Sequence, residues 1–276
     1  GSGVPMTATF NFANLLSQGA MIIVLAMGLV FVLLLGEIDL SSGFAAGTAA
    51  AVLGVTLTER GWPVPMALLA CLLTGAAIGV VIGLLVARLG IPSFVVTLAM
   101  FLALQGAMLL IIGEGGTIPI RDDFVLGFQN KNLTPVVGWL LAVAVVAGYG
   151  VVTGLRMKKR RAAGLSASPV SVWAAKLATL AILAGGATFF LNQERSRRPE
   201  LTSIKGVPYI VPLILVLLIG LTFVLTRTAF GRHVYAVGGN AEAARRAGIN
   251  VKRIVITCFI ACSLLAAVAG ILFASR

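Results

Sequence analysis

Charged residues make up only 11% of the 276-residue chain, against 59% that are apolar, and that scarcity excludes an ordinary soluble protein. A soluble chain of this length has room for a sizeable core, but it cannot wet its surface with so few charges. A mean hydropathy of +1.05 points to the bilayer as solvent. Period-two alternation is missing from the apolar runs, which excludes a closed barrel and leaves helices. Cysteine is scarce: Cys71, Cys258 and Cys262 fall inside apolar runs, the last two on one helix face, and read as small packing residues rather than a disulfide or metal site. There is no low-complexity tract, no short-period repeat and no G-x-x-x-x-G-K-[ST] phosphate loop, so any ATP hydrolysis belongs to another subunit. No charged segment with a cleavage site follows Gly1, so no signal peptide is visible, and both ends are expected to be clipped.

What the chain does have is long greasy segments. At roughly 20 apolar residues per crossing, it reads as eight spans, at residues 15–35, 40–58, 64–87, 94–112, 135–155, 172–191, 207–226 and 254–273. The expected fold class is all-α, a polytopic transmembrane helical bundle in contact with membrane lipid. A net charge of +12 and a pI near 10.7 raise the question of nucleic acid. The cations cluster between apolar segments instead of forming one soluble basic face, so topogenesis explains them and no nucleic-acid partner is expected.

The dense cluster Arg156, Lys158, Lys159, Arg160 and Arg161 is expected to stay cytoplasmic, and two crossings later residues 227–253 carry Arg227, Arg232, Arg245, Arg246, Lys252 and Arg253 on the same side. The intervening loop, 192–206, is external by parity and runs against the rule with Arg195, Arg197, Arg198 and Lys205, partly offset by Glu194 and Glu200. Counting back places 113–134, with Glu114, Asp122 and Asp123, outside. Trp62, Trp139 and Trp173 sit near span ends, where aromatic belts form. Gly75, Gly79 and Gly83, and likewise Gly43 and Gly47, repeat every four residues and predict close helix contacts. Residues 162–171, AAGLSASPVS, read as a loop or short linker.

Two stretches carry more specific chemistry. In GEIDLSSG, 36–43, Glu37 and Asp39 interrupt an apolar run, and acids at membrane depth line a polar cavity or pair with something. Asp39, Ser41 and Ser42 equally suit the start of the next helix, with the carboxylate accepting backbone N–H groups, and both readings stand. Gln105, expected to be buried in mid-span, is a further candidate for the solute path. The second stretch is GGNAEAARRAGI, 238–249. Asn240 suits an N-cap, 241–247 are good helix formers, and Gly248 suits a left-handed stop. Glu242 early and Arg245 and Arg246 late match the helix dipole. So short a helix is not stable in isolation. It is either an interfacial helix held by the membrane surface or an element docked on a partner.

EAARRAG, 242–248, matches the E-A-A-x-x-x-G signature in the cytoplasmic loop of bacterial ABC importer permeases. The longer TAFGRHVYAVGGNAEAARRAGINVKR, 228–253, together with GEIDLSSG and GIPSFVVTLAM, 90–100, resembles the ribose, galactose and xylose branch of that family, xylose-type permeases most of all. The long connection 156–206 is similar to theirs. The resemblance runs from about Asn11 onward with the three blocks in family order, although the usual Ile and Leu-Pro after Gly248 are not found. It implies a single permease transmembrane domain over 1–276, with 227–253 as a cytoplasmic coupling loop, and further spans beyond both ends in the whole permease.

The resemblance also implies a multi-pass protein of the bacterial cell membrane, without catalytic chemistry, cofactor or metal of its own. It would work as a permease homodimer with cytoplasmic ABC ATPase subunits and an extracytoplasmic sugar-binding protein. The coupling residues expected are Asn240, Glu242, Ala243, Ala244 and Gly248, and the path residues Glu37, Asp39, Ser41 and Gln105. A pentose such as xylose is the expected cargo. An ion-coupled secondary transporter would have only Glu37 and Asp39 to work with. An intramembrane hydrolase would need those two acids to face each other, which helical spacing forbids. An ABC permease for a non-sugar solute is the nearer alternative.

Overall fold

A computed structural model describes residues 6–113, 116, 118–166, 169–194 and 205–275. The expectations attached to Glu114, Arg195, Arg197, Arg198 and Glu200 fall outside the described residues. Among the described residues eleven α-helices follow one another: α1 (Met6–Leu33), α2 (Ser42–Gly54), α3 (Val64–Ala87), α4 (Ser93–Ile112), α5 (Asp123–Asn130), α6 (Pro135–Ala162), α7 (Val170–Leu191), α8 (Ile210–Arg227), α9 (Ala229–Gly239), α10 (Ala241–Arg246) and α11 (Val251–Ala274). No strand occurs among the described residues, and the all-α helical class holds. By length and apolarity, α3, α4, α6, α7, α8 and α11 suffice to cross a membrane.

Of the eight expected spans, the first two come out short. The apolar part of α1 covers only Gln18–Leu33. Helix α2 has 13 residues and continues as a five-residue π-helical turn, Val55–Glu59. The polar turn between α1 and α2 takes up chain that hydropathy alone assigned to spans. The basic cluster 156–161 lies in the last turns of α6 instead of a loop, and Val170 and Ser171, expected in a linker, open α7. Helices α5 and α9 were not anticipated. Asp122 explains the first, since its Oδ1 accepts the Phe124 and Val125 N–H groups at 2.9 and 3.1 Å and caps the turn.

The chain forms two compact units. One comprises 131–212 with the start of α1 up to Leu16, and the other 17–130 with 213–276. In the first, α6 and α7 form an antiparallel hairpin. Gly150 lies against Leu177, where a Cβ would stand 3.2 Å from Cδ1, and the Trp173 indole N–H donates to Thr153 Oγ1 at 2.9 Å. Segments 131–134 and 205–209 pair across the hairpin's other end, with Leu133 N–H donating to Val207 O at 2.8 Å and Tyr209 N–H to Lys131 O at 3.1 Å.

The second unit is built around α11, two thirds of whose apolar window is buried (67%). Its partners are α2 and α3. The expected glycine stripe of α3 is the contact: a Cβ on Gly75 would stand 2.6 Å from Ser263 O, on Gly79 2.6 Å from Phe259 O, and on Gly83 2.8 Å from Ile256 Cα. In a bilayer, lipid is as apolar as Leu, so this backbone-to-backbone fit holds the helices together. The second stripe behaves differently. Gly47 meets Met108 of α4, while Gly43 meets nothing; α2 and α11 approach instead at Gly270, against Ala46 and Ala50.

Candidate functional site

Helix α1 ends because Gly36 takes φ 78, and two carbonyls left over at the helix end are then satisfied: Gly36 N–H donates to Leu33 O at 3.0 Å and Glu37 N–H to Val32 O at 3.2 Å. This turn carries residues 37–41 in among the helices, as far as Cys262 midway along α11. Asp39 is 6% exposed and Ser41 is fully buried. Ser41 donates its N–H at 2.8 Å and its hydroxyl at 2.7 Å to Asp39 Oδ1, and the Cys262 thiol of α11 donates to Oδ2 at 3.4 Å. The carboxylate thus closes a small turn ahead of α2 and ties it to α11. Helix α2 itself has Ser41 at its N-cap with no side-chain cap bond, so Asp39 acts one step earlier than a cap.

The same turn is fastened to α4. Ile38 N–H donates to Ser93 Oγ at 3.1 Å, and Thr97, fully buried, donates its hydroxyl to Ser93 O at 2.8 Å and to Ile38 O at 3.2 Å. GEIDLSSG and GIPSFVVTLAM, read apart in the sequence, are therefore one structural feature.

The third block arrives at the same end. Gly238, near the end of α9, packs against the carbonyl of Leu34 so closely that any Cβ would collide with it. Asn240 then caps α10, its side-chain oxygen accepting the Ala243 N–H at 2.9 Å. Ala244 is buried and Ala243 exposed. Gly248, φ 83, ends the helix in the way Gly36 ends α1: its N–H donates to Arg245 O and that of Ile249 to Ala244 O, both at 3.0 Å. Asn250 repeats the capping device for α11, accepting the Arg253 N–H at 3.0 Å.

On the exposed face of α10, Glu242 accepts from Arg245 at 2.9 and 3.0 Å and from Arg246 at 3.1 Å. These bonds, Arg245 first, hold the pKa of the Glu242 carboxyl below its ordinary 4.5, and the same bonds raise that of the Arg245 guanidinium. A carboxyl with a lowered folded-state pKa favours the folded helix above its unfolded pKa and loses that preference as pH falls through the folded value. The Glu242 carboxyl is therefore ionised at neutral pH and able to pair with both arginines. A groove of about 440 Å³ separates α10 from the bundle, lined by Glu37, Val86, Ala241, Glu242, Arg245 and Lys252.

Asn240, Glu242, Ala243, Ala244 and Gly248 thus form one capped knuckle, and Glu37 lines its groove, while Asp39 and Ser41 lie apart from it, at the level of Cys262 midway along α11. Gln105 is not among them. It is exposed on α4, contrary to the expectation of burial, because the apolar α4 covers only one face of its unit. Sequence reasoning missed Ser93, Thr97, Cys262 and Gly238. The small polar residues and the glycine were legible as types, but their partners lie 55 to 223 positions away.

Six helices among the described residues long and apolar enough to cross a bilayer, packed in part through glycines, define a polytopic membrane protein. The chain belongs to the family described as "Branched-chain amino acid transport system / permease component", whose model matches residues 11–125 and 124–276. Family and spans make it a multi-pass protein of the bacterial cell membrane. It is 38% identical over 267 residues to the xylose transport system permease protein XylH of Escherichia coli strain K12, covering 96% of this chain and 65% of that protein. To XylH of Haemophilus influenzae it is 33% identical, covering 96% and 68%. To the ribose import permease protein RbsC of E. coli K12 it is 27% identical, covering 96% and 61%. The chain thus spans somewhat under two thirds of the E. coli relatives' length. No solved structure matches.

Proposed function

We propose that this chain is the larger part of the membrane subunit of an ATP-driven sugar importer, and that α10 is the element by which a separate cytoplasmic ATPase drives it. The observation that carries the reading is the convergence of the three sequence blocks on one end of the α11-centred unit. A capped six-residue helix is fixed at both ends and carries its charge outward, and the preceding α9 rests through Gly238 on the backbone of the α1 end. Displacement of α10 would reach Glu37, which lines its groove, and through the short segment 37–39 the Asp39 turn. Asp39 and its Ser41 and Cys262 donors would then pass the movement to α2 and α11.

The remaining assembly is proposed from family membership: a permease dimer, two ATPase subunits and an extracytoplasmic sugar-binding protein. The basic ends of α6, α9 and α10 are placed in the cytoplasm, and 113–134 outside. Xylose is the favoured cargo, from the names of the relatives. Glu37 and Asp39 do not support a hydrolase, because the Asp39 carboxylate is engaged by Ser41 and Cys262 while Glu37 faces the α10 groove.

The test is xylose uptake into vesicles holding the full-length permease, its ATPase and its binding protein. The expected result is uptake that requires ATP and survives collapse of proton and sodium gradients. Uptake driven by an ion gradient without ATP would establish a secondary transporter instead. ATP-driven uptake of a branched-chain amino acid but not of xylose would reassign the cargo.

A further inference from the structure

The α6–α7 hairpin carries two adjoining cavities of opposite character. One is an apolar groove of about 720 Å³ between the helices, whose lining includes Trp139, Val143, Ala147, Leu177 and Ala181. The other, about 550 Å³, lies at the cytoplasmic end and is lined by Arg156, Arg160 and Lys176 with Tyr149, Thr153 and Ser166. Met157 and Trp173 line both, so the two adjoin at the basic end of α6. From Trp139 to Lys158 the groove follows α6 for roughly 28 Å at 1.5 Å per residue, close to the thickness of a hydrocarbon core. A tryptophan stands toward each end.

We propose that this is a binding site for one anionic phospholipid of the cytoplasmic leaflet, with its phosphate in the basic pocket and an acyl chain in the groove. The assignment rests on the cytoplasmic placement of the α6 end and is independent of the cargo. The chemistry selects the occupant. Basic pockets between helices at headgroup depth attract anionic headgroups, and each cation near the surface strengthens that attraction. Arg160 is already oriented, donating from Nε to Ser166 O at 3.0 Å, which leaves its terminal nitrogens to face the pocket. Trp173 is fixed by its bond to Thr153 at the junction of headgroup and chain, the level that amphipathic rings prefer. A second copy of the hairpin is the wrong partner for this face. Around the two-fold axis of a dimer it would set Arg156, Arg160 and Lys176 against their own copies, and the described part of this unit offers an acid only at Glu194, close to Lys205 at the other end.

The test uses the full-length permease purified in mild detergent, supplied with 1-palmitoyl-2-oleoyl phosphatidylglycerol or the matching phosphatidylcholine, and read by native mass spectrometry. The expected result is one retained phosphatidylglycerol, little phosphatidylcholine, and no displacement by millimolar glycerol 3-phosphate, which lacks the chain. Neutralising the pocket in an Arg156→Gln/Arg160→Gln/Lys176→Gln variant lowers the retained fraction roughly tenfold or more. Lys159→Gln, in the same cluster but off the pocket, leaves it unchanged. Ala147→Trp, at an exposed position lining the groove, lowers retention with all cations intact, and so decides the matter even where the triple variant folds poorly. Equal retention of the two lipids, equal loss with Lys159→Gln, or full retention in Ala147→Trp would overturn the site. So would a dimer that cross-links through α6 and α7 without lipid.

Discussion

Asp39 is the residue on which the polar turn depends. Asp39→Asn keeps the shape but replaces one carboxylate oxygen by a donor, so either the Ser41 pair or the Cys262 thiol meets another donor. An unsatisfied buried group costs about 1–3 kcal/mol, enough to shift the turn and its hold on α11. In the full-length permease, Asp39→Asn is expected to lower sugar uptake by roughly tenfold, the equivalent of about 1.4 kcal/mol, at matched membrane abundance. Glu59→Gln, at an exposed position after α2, is expected to leave uptake unchanged. Equal rates for Asp39→Asn and the parent would remove Asp39 from the mechanism. Gly238 and Gly248 show two different reasons for glycine in one loop. At Gly248 the space is open and the backbone, at φ 83, sets the requirement; at Gly238 the Leu34 carbonyl fills the space a side chain would need.

Among the elements, the α3–α11 pair sets the stability of its unit. Gly79→Val would force a branched side chain into Phe259 O and Ile260 Cα, each 2.6 Å from where its Cβ would stand. Overpacking typically costs about 1–3 kcal/mol, and here the obstacle is backbone, which does not rotate away. A lower thermal midpoint of the purified permease is expected for Gly79→Val, and little change for Gly43→Ala, which meets nothing. A midpoint unaltered by Gly79→Val would mean that these helices do not meet along the stripe. The stripe on α3 was legible in the sequence because four-residue glycine spacing has one meaning in an apolar helix. The same spacing at Gly43 and Gly47 was informative only at Gly47, which meets Met108 of α4, while α2 turns Ala46 and Ala50 to α11. Asn240, Gly248 and the charges of α10 were legible because caps are local chemistry. Asp39 was legible as an anomaly but not as a tie, because its thiol partner lies 223 positions on. Gln105 shows the limit of hydropathy, which reports that a segment is apolar but not which way one polar residue points.

For the whole molecule, the positive-inside rule predicts that the basic end of α6 is cytoplasmic and the acidic segment before α5 external. With the permease in intact cells, a membrane-impermeant thiol reagent is expected to label Asp123→Cys and to spare Arg160→Cys until the cells are opened. The reverse pattern would invert the topology and remove α10 from the cytoplasm. Family membership and six of the eight expected spans were readable from composition and three short blocks. That those blocks meet at one end of a single unit was not, because each is separated from the next by at least one apolar helix.

The central claim is that α10 is where an ATPase docks, and cross-linking at its outer face tests it most directly. Ala243 is exposed there, whereas Cys71, Cys258 and Cys262 are buried and give little background. The full-length permease carrying Ala243→Cys, assembled with its ATPase and binding protein in native membranes, would be treated with a short thiol-to-amine cross-linker. The account predicts a covalent permease–ATPase adduct whose yield changes when ATP is supplied, and none from Thr58→Cys on the opposite side. An adduct missing at position 243, with the ATPase present and uptake running, would contradict it.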